Sequence, residues 1–243
     1  MKRLIVNADD FGMSKKVNEG IGYTHEHGIL TSTTVMMNKP YAYELPVYQA
    51  KYPNLGFGIH LVLTSGKPLG SNYLTLTTED GYFKRSFIRD DESYDIEEVY
   101  REWKLQIEAF ITIGGMPSHM DSHHGVHYKQ KLYPVVKRLQ DEYKLAFRNT
   151  FQMEKHDIRT ASRFVGSFYN KTVTLDTIKL VIDSVQEHEI VELMSHPGFV
   201  DIETINASIY NFKRIEELQL LISDEIKDYV TSKEVTLISY KGL

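Results

Sequence analysis

Residues 4–37 have the sequence LIVNADDFGMSKKVNEGIGYTHEHGILTSTTVMM, and this stretch decides the fold class. Residues 4–6 are a short apolar run, which is typical of a buried strand. Residues 14–27 carry apolar side chains at helical spacing, and Gly28 ends that segment. Residues 31–37 are rich in β-branched side chains, which favour a second strand. A strand, a helix and a second strand in this order indicate a parallel sheet.

The same alternation continues along the rest of the chain. Further strands are predicted at 56–63, around His119 and Asp121, and at 145–147, 190–194 and 235–239. Further helices are predicted at 41–51, 96–113, 134–143 and 174–188, and one or two helices over 209–229, with Ser223 placed to cap the second. Residues 64–90 have no sustained periodicity and are interpreted as a long loop, a kind that is uncommon unless it covers a site.

The number of strand and helix units predicts an α/β fold. We expect a single-domain, distorted (β/α) barrel with about seven parallel strands over residues 1–243, and an open doubly wound sheet is the main alternative. Neither a linker of distinct composition nor a repeat of 20 to 50 residues divides the sequence.

Composition excludes several classes of protein. Of 243 residues, 42% are hydrophobic and 25% are charged, which is typical of a globular domain. A net charge of -5 argues against a nucleic-acid partner. Because the chain has no cysteine, His, Asp and Glu are the only strong metal ligands it offers. The first apolar run is too short for a signal peptide, and no stretch approaches the roughly 20 apolar residues of a membrane helix. We therefore expect a cytoplasmic protein without a membrane partner.

Polar side chains follow several of the predicted strands. Asp9 and Asp10 come directly after the first strand, His60 lies late in the third, and His196 follows a later one. Functional sites of parallel α/β folds assemble at the carboxyl ends of their strands. Four of the ten histidines lie within residues 119–127 together with an aspartate. This density favours a metal or catalytic site over a solvated loop.

Each of these residues also has a structural interpretation. Asp9 and Asp10 would repel each other unless a cation or a shared proton separates them, but they would also suit the start of the following helix. His60 and His196, each taken alone, would fit hydrogen-bonded core histidines. The sequence lacks the motifs of a nucleophile elbow, a phosphate-binding loop, a dinucleotide-binding loop and a zinc-protease helix.

Four separated motifs resemble those of the YdjC-like carbohydrate deacetylases, which include chito-oligosaccharide deacetylases. They are NADDFG at 7–12, GIHLVLTSGKPL at 58–69, PSHMDSHHGVH at 117–127 and SHPGF at 195–199, and TSTT at 31–34 also fits. The resemblance implies a distorted (β/α) barrel, a divalent metal ion assigned as magnesium, a homodimer, and removal of N-acetyl groups from oligosaccharides.

The resemblance also implies roles for individual residues. It makes Asp10, His60 and His123 the metal ligands, Asp9 the general base and His196 a general acid. Some relatives have a third consecutive histidine where this chain has Gly125, so that position is not an indispensable ligand here.

The three remaining site residues are expected to contact substrate. We expect His124, His127 and Arg148 to contact substrate hydroxyls or a phosphate, and Asp121 to orient a ligand imidazole.

This assignment agrees with the chemistry of amide hydrolysis. A cation held by two imidazoles and one carboxylate keeps a positive charge and open positions, so it can polarise an acetyl carbonyl. Such a ligand set suits zinc, manganese, iron or cobalt at least as well as magnesium, so magnesium follows from the resemblance only. The expected substrate is a small acetylated oligosaccharide, chitobiose-like or a phosphorylated disaccharide.

Three other functions remain open. A phosphoesterase could use the same ligands. A glycosidase needs two carboxylates several ångströms apart, which the adjacent Asp9 and Asp10 fit poorly. A sugar-binding protein with a structural metal is the non-catalytic alternative.

Overall fold

The sheet and its helices were determined from a computed structural model that describes residues 1–89, 91–150 and 153–243. Residue 90, the last of the predicted loop, lies outside the described residues. The described strands are Lys2–Phe11 (β1), Ser32–Val35 (β2), Gly56–Leu61 (β3), His119–Ser122 (β4), Ala146–Phe147 (β5), Arg163–Val165 (β6), Ile190–Ser195 (β7) and Val235–Leu237 (β8).

The described helices connect most of these strands, with three of them between β7 and β8. They are Lys15–His27 (α1), Leu45–Lys51 (α2), Ile96–Gly114 (α3), Tyr133–Tyr143 (α4), Leu175–Ser184 (α5), Ile202–Ala207 (α6), Phe212–Leu221 (α7) and Asp224–Ser232 (α8). Within these residues, no helix is long and apolar enough to cross a bilayer.

The sheet confirms the predicted parallel barrel. Seven strands follow one another in the order β5-β4-β3-β2-β1-β7-β6, and β8 pairs with the first residues of β1. Every strand pairing is parallel. At the seam between the end strands, Phe147 bridges to Thr160, and the side-chain amide of Asn149 donates to the carbonyls of Ala161 and Ser162. The sheet therefore curls into an incomplete barrel.

Most predicted elements are present, with different bounds. β1 extends to Phe11, well beyond the apolar run at 4–6, because its polar side chains have buried partners inside the barrel. Residues 209–229, predicted as one or two helices, contain the two helices α7 and α8, and the Ser223 hydroxyl caps the second as predicted by accepting from the Ile226 amide at 3.4 Å. β6 and α6 were not predicted, because they are three and six residues long and too short for a clear period.

Candidate active site

A backbone irregularity at the end of β1 brings two adjacent carboxylates to one cavity. Side chains alternate between the faces of a regular strand, so neighbours point apart. Between Ala8 and Phe11 the pairing of β1 with β2 shifts register, and Asp10 has a φ of 74°. This bulge lets both Asp9 and Asp10 line the same cavity while each is only 3% exposed.

Asp10, His60 and His123 form a candidate metal centre. Each offers one ligand atom, and these atoms lie within 4.8 Å of one another. Asp10 Oδ1 is 3.1 Å from His123 Nδ1 and 3.5 Å from His60 Nε2. Within the described part of the chain, no group reaches this buried oxygen in hydrogen-bond geometry. A divalent ion fits this cluster because it would satisfy the oxygen and both imidazoles at once.

Asp121 holds His60 in the orientation that a metal ligand needs. His60 Nδ1 is 2.6 Å from Asp121 Oδ1, so Nε2 faces Asp10. Burial alone would lower the pKa of His60, but the charge and hydrogen bond of Asp121 raise it to about 9. An ion binding at Nε2 would therefore displace a proton. The contact is the one that the sequence analysis expected for Asp121.

Arg214 occupies the other oxygen of Asp10. Arg214 Nη2 donates to Asp10 Oδ2 at 2.6 Å, and both side chains are buried. Burial would raise the pKa of Asp10, but the charge of Arg214 and contacts with His123 hold it well below the ordinary value. Asp10 is thus an anion that directs one free oxygen toward the two imidazoles.

Asp9 is held by a two-pronged ion pair. Arg148 Nη1 donates to Asp9 Oδ2 at 2.8 Å, and Nη2 donates to Oδ1 at 2.6 Å. The Asn7 amide also donates to Oδ1, at 3.0 Å. Burial would raise the pKa of Asp9, but Arg148 keeps it below its ordinary value. Asp9 is therefore ionised, and Oδ2 has the fewer donors.

Arg148 occupies both carboxylates of a second possible ligand set. Asp9, His60 and Asp121 lie close enough together to bind an ion. The Arg148 guanidinium already contacts both carboxylates of that set, with Nη2 at 2.9 Å from Asp121 Oδ2. The set that contains Asp10 is consequently the better candidate for a metal ion.

His196 lies near Asp9 and lines the same cavity. Its Nε2 atom is 4.0 Å from Asp9 Oδ2, and its ring packs edge-on against Tyr169 and Tyr210. Glu217 accepts a hydrogen bond from the His196 backbone amide and another from the Tyr210 hydroxyl. His196 Nδ1 lies 3.8 Å from Glu217 Oε1.

Two adjoining cavities surround this arrangement. The first has a volume of about 310 Å³ and contains the candidate metal centre, Asp9 and His196. The second, of about 360 Å³, is formed partly by the predicted loop after β3. The residues that line both cavities are His123, His124, Tyr169, Ser208 and Tyr210. Tyr169 and Tyr210 stack at 4.3 Å between ring centroids, which gives the shared wall an aromatic surface suited to a sugar face.

The three residues expected to contact substrate occupy different positions. His124 is exposed, lines both cavities and lies 2.8 Å from the Thr64 hydroxyl. Arg148 lines the first cavity, but three carboxylates hold its guanidinium. His127 is fully buried, is absent from the linings of both cavities and lies 2.6 Å from the Ser122 hydroxyl. Substrate contact by His124 and Arg148 stays a prediction, and we no longer expect it for His127.

Sequence reasoning missed several charged residues of the site. Arg214 and Glu217 lie on the buried face of α7 beside Leu218 and Leu221. Glu192 is fully buried in β7 and contacts Arg148 Nε at 2.8 Å. These residues could have been found from the sequence because each is a charged residue at a position where the pattern of a helix or buried strand predicts an apolar one. A charged side chain is rarely buried there without a partner.

The fold and the site define a (β/α)-barrel protein with a candidate metal centre at the carboxyl ends of its strands. The family model of the YdjC-like proteins matches residues 3–232, and the chain belongs to this family. It is 36% identical over 249 residues to a carbohydrate deacetylase of Thermoanaerobacter pseudethanolicus, with 100% of each chain covered.

Solved structures agree with this assignment. A crystal structure from Enterococcus faecalis V583, described provisionally as a cellobiose-phosphate cleavage protein, is 36% identical, with a TM-score of 0.93 and coverage of 99% of this chain and 98% of that one. A CE4 esterase of Streptococcus mutans has a TM-score of 0.58 at 11% identity, covering 98% of this chain and 85% of that one. The second likeness concerns the fold alone.

Proposed function

We propose that this protein is a metal-dependent deacetylase that removes N-acetyl groups from acetylated oligosaccharides. The observation that carries the proposal is the cluster of Asp10, His60 and His123 in one cavity with Asp9 and His196. The carbohydrate deacetylases among the relatives support the same chemistry.

Amide hydrolysis requires a base for the attacking water. A divalent ion at the cluster would supply a Lewis acid that polarises the acetyl carbonyl and lowers the pKa of a water. Asp9 accepts the proton of that water through Oδ2, the oxygen nearer to His196. Arg148 and Asn7 keep the Asp9 carboxylate in one orientation, so no rotation is needed before the proton moves.

The departing amine requires an acid. His196 lines the same cavity as Asp9, with Nε2 at 4.0 Å from Asp9 Oδ2, and donates a proton to the sugar nitrogen as the C–N bond breaks. Glu217 accepts from the His196 backbone amide, and the two tyrosine rings restrict the orientation of the imidazole. The base and the acid therefore flank the same acetamide.

The proposal also covers the identity of the metal ion, the size of the substrate and the oligomeric state. The resemblance to the family favours Mg²⁺, whereas two imidazoles and one carboxylate favour Zn²⁺ or another transition ion, so both kinds of metal belong in every assay. The two adjoining cavities suit a substrate with two sugar units, such as a chitobiose-like or phosphorylated disaccharide. A homodimer is part of the same proposal, and light scattering tests it.

Cleavage of a phosphorylated disaccharide is the second candidate, because the relative from Enterococcus faecalis is described in those terms. Metal-assisted phosphate ester hydrolysis would use the same ligands. Glycoside hydrolysis is less favoured because Asp9 and Asp10 are adjacent in sequence, whereas a glycosidase needs two carboxylates on either side of the scissile bond.

The proposal predicts acetate release from an N-acetylglucosamine disaccharide without loss of its glycosidic bond. The protein is incubated with the disaccharide and with its phosphorylated form, in the presence of Mg²⁺ or Zn²⁺. Acetate, reducing ends and inorganic phosphate are each measured, and mass spectrometry should detect the loss of acetyl groups. New reducing ends or phosphate without acetate would contradict the proposal and favour the second candidate.

Replacing His196 with Ala should lower turnover of acetylated sugars by about 10²- to 10⁴-fold. The loss should be smaller for an activated acetanilide, because its leaving amine needs less protonation. His27→Ala is the control, since His27 is exposed at the end of α1, and it should not change either rate. Equal losses on both substrates for the His196 variant would refute the acid role.

A further inference from the structure

Tyr240 is a buried residue outside the cavity whose contacts lead toward Asp9. It lies in the 3₁₀ segment Tyr240–Gly242 after β8 and is 2% exposed. Its backbone amide donates to the hydroxyl of Ser32, the first residue of β2, at 3.2 Å. The phenol ring thus enters the barrel from the end opposite the cavity.

One series of contacts runs from the Tyr240 hydroxyl. The hydroxyl donates to Glu192 Oε2 at 2.5 Å, and Glu192 Oε1 accepts from Arg148 Nε at 2.8 Å. The opposite edge of the same guanidinium donates to both oxygens of Asp9. Since a guanidinium is planar and rigid, the Glu192 carboxylate helps to set the plane in which Arg148 holds Asp9.

A second series runs from the Tyr240 ring. The ring stacks on His119 with centroids 3.7 Å apart and planes inclined by 6°. His119 Nε2 lies 3.1 Å from the side-chain oxygen of Asn7, whose amide group donates to Asp9 Oδ1 at 3.0 Å. Because that amide oxygen only accepts, His119 Nε2 carries the hydrogen. Burial lowers the pKa of His119 well below its ordinary value, which agrees with a neutral ring.

Both series end on the same carboxylate. Asp9 Oδ1 accepts hydrogen bonds from Arg148 Nη2 and Asn7 Nδ2. Oδ2 accepts one from Arg148 Nη1 and lies 4.0 Å from His196 Nε2. We propose that Tyr240 is a positioning residue that keeps Oδ2 of Asp9 directed at the reacting water. This inference rests on the proposed function, because it assigns Asp9 the role of base.

Tyr240→Phe tests the inference, because it keeps the ring stack and removes the hydroxyl. Without that donor, Glu192 Oε2 is left without its buried partner, and the carboxylate no longer fixes the tilt of Arg148. We expect kcat for acetate release to fall about tenfold, because a small misplacement of a catalytic group costs up to about 100-fold. KM and the affinity for the added metal, measured by calorimetry with Zn²⁺ and Mg²⁺, should not change.

Tyr73→Phe is the matched control. Tyr73 is also buried, and its hydroxyl donates to Glu102 at 2.9 Å; among the described residues, no series of hydrogen bonds leads from it to Asp9. This variant loses a similar hydrogen bond and should keep its kcat. Combining Tyr240→Phe with Glu192→Gln should lower kcat little more than Glu192→Gln alone, since both changes interrupt one series of contacts.

Each outcome bears on one proposal. Wild-type kcat in a folded Tyr240→Phe variant would overturn the positioning role, and so would an equal loss in the Tyr73 control. If Tyr240→Phe does not fold, Glu192→Gln takes its place with the same expected split between kcat and KM. Absence of acetate release from the wild type would instead overturn the proposed function. The positioning role would then be tested by a crystal structure of Tyr240→Phe. An unchanged plane of the Asp9 carboxylate in that structure would refute the role.

Discussion

Asp9→Asn is expected to lower the turnover of acetylated oligosaccharides by about 10²- to 10⁴-fold, the usual contribution of a general base. An Asn side chain keeps the shape of Asp9 but cannot accept the proton of the attacking water. The metal content should persist, because the ligand set of Asp10, His60 and His123 remains intact. The measurements are kcat and the metal-to-protein ratio after dialysis.

The same substitution should also reduce stability. Arg148 would lose the charge of one of its three buried carboxylate partners, and breaking a buried ion pair on one side costs about 3–5 kcal/mol. Asp183→Asn is the control on an exposed carboxylate and should leave kcat unchanged. Near-normal kcat in the Asp9 variant would refute its role as the base.

The ion pair of Asp9 also predicts how stability depends on pH. The pKa of Asp9 is lower in the folded protein than its ordinary value of 3.8. The stabilisation is therefore fully present above that ordinary value and is lost as the pH falls toward the folded-state pKa. The free energy of unfolding should therefore fall less steeply in Asp9→Asn than in the wild type as the pH is lowered from about 5 to about 2.

His123→Ala is expected to abolish stoichiometric binding of the divalent ion. Asp10 and His60 would remain as two of the three candidate ligands. Removing a residue that only supports a ligand lowers metal affinity by about 10- to 100-fold, so removing a ligand itself should lower it by about 100-fold or more. The fold should persist because His123 lies in a 3₁₀ turn at the cavity rather than in the apolar core.

The neighbouring residue provides the control for this experiment. His124 is exposed and lies outside the candidate ligand set, so His124→Ala should retain the metal. Metal is measured by elemental analysis after loading with Zn²⁺ or Mg²⁺, and folding by circular dichroism. Full metal occupancy in His123→Ala would remove this residue from the ligand set.

The sequence pattern predicted a metal or catalytic site at the strand ends, whereas the particular set of Asp10, His60 and His123 followed from the family resemblance. Asp10, His60 and His123 are strong ligands placed at or just after strands, and parallel strands bring such positions together. The partners of these residues could not be predicted in the same way. Arg214 reaches Asp10 across 204 positions of sequence, and Tyr240 reaches Glu192 across 48. Only the order of strands and helices in space reveals such pairs.

Parts of the fold were predictable from local sequence patterns and other parts were not. Long apolar patterns such as α3 were predictable, and that helix ends at the glycine pair at 114 and 115 as expected. The far end of β1 was not, since Asn7, Asp9 and Asp10 break the apolar pattern of a buried strand. Their burial depends on partners from other segments, which a local pattern does not contain.

The left-handed backbone at Asp10 restricts how far the ligand set could be redesigned. A φ of 74° is tolerated by Gly and by short polar side chains such as Asp and Asn, but it strains most longer or branched side chains. Replacing this candidate ligand with glutamate would strain the backbone and would also move the carboxylate, because the glutamate side chain is longer. His60 lies in a regular strand and carries no such restriction. Attempts to change metal preference in this scaffold are therefore better directed at the imidazole positions than at the carboxylate.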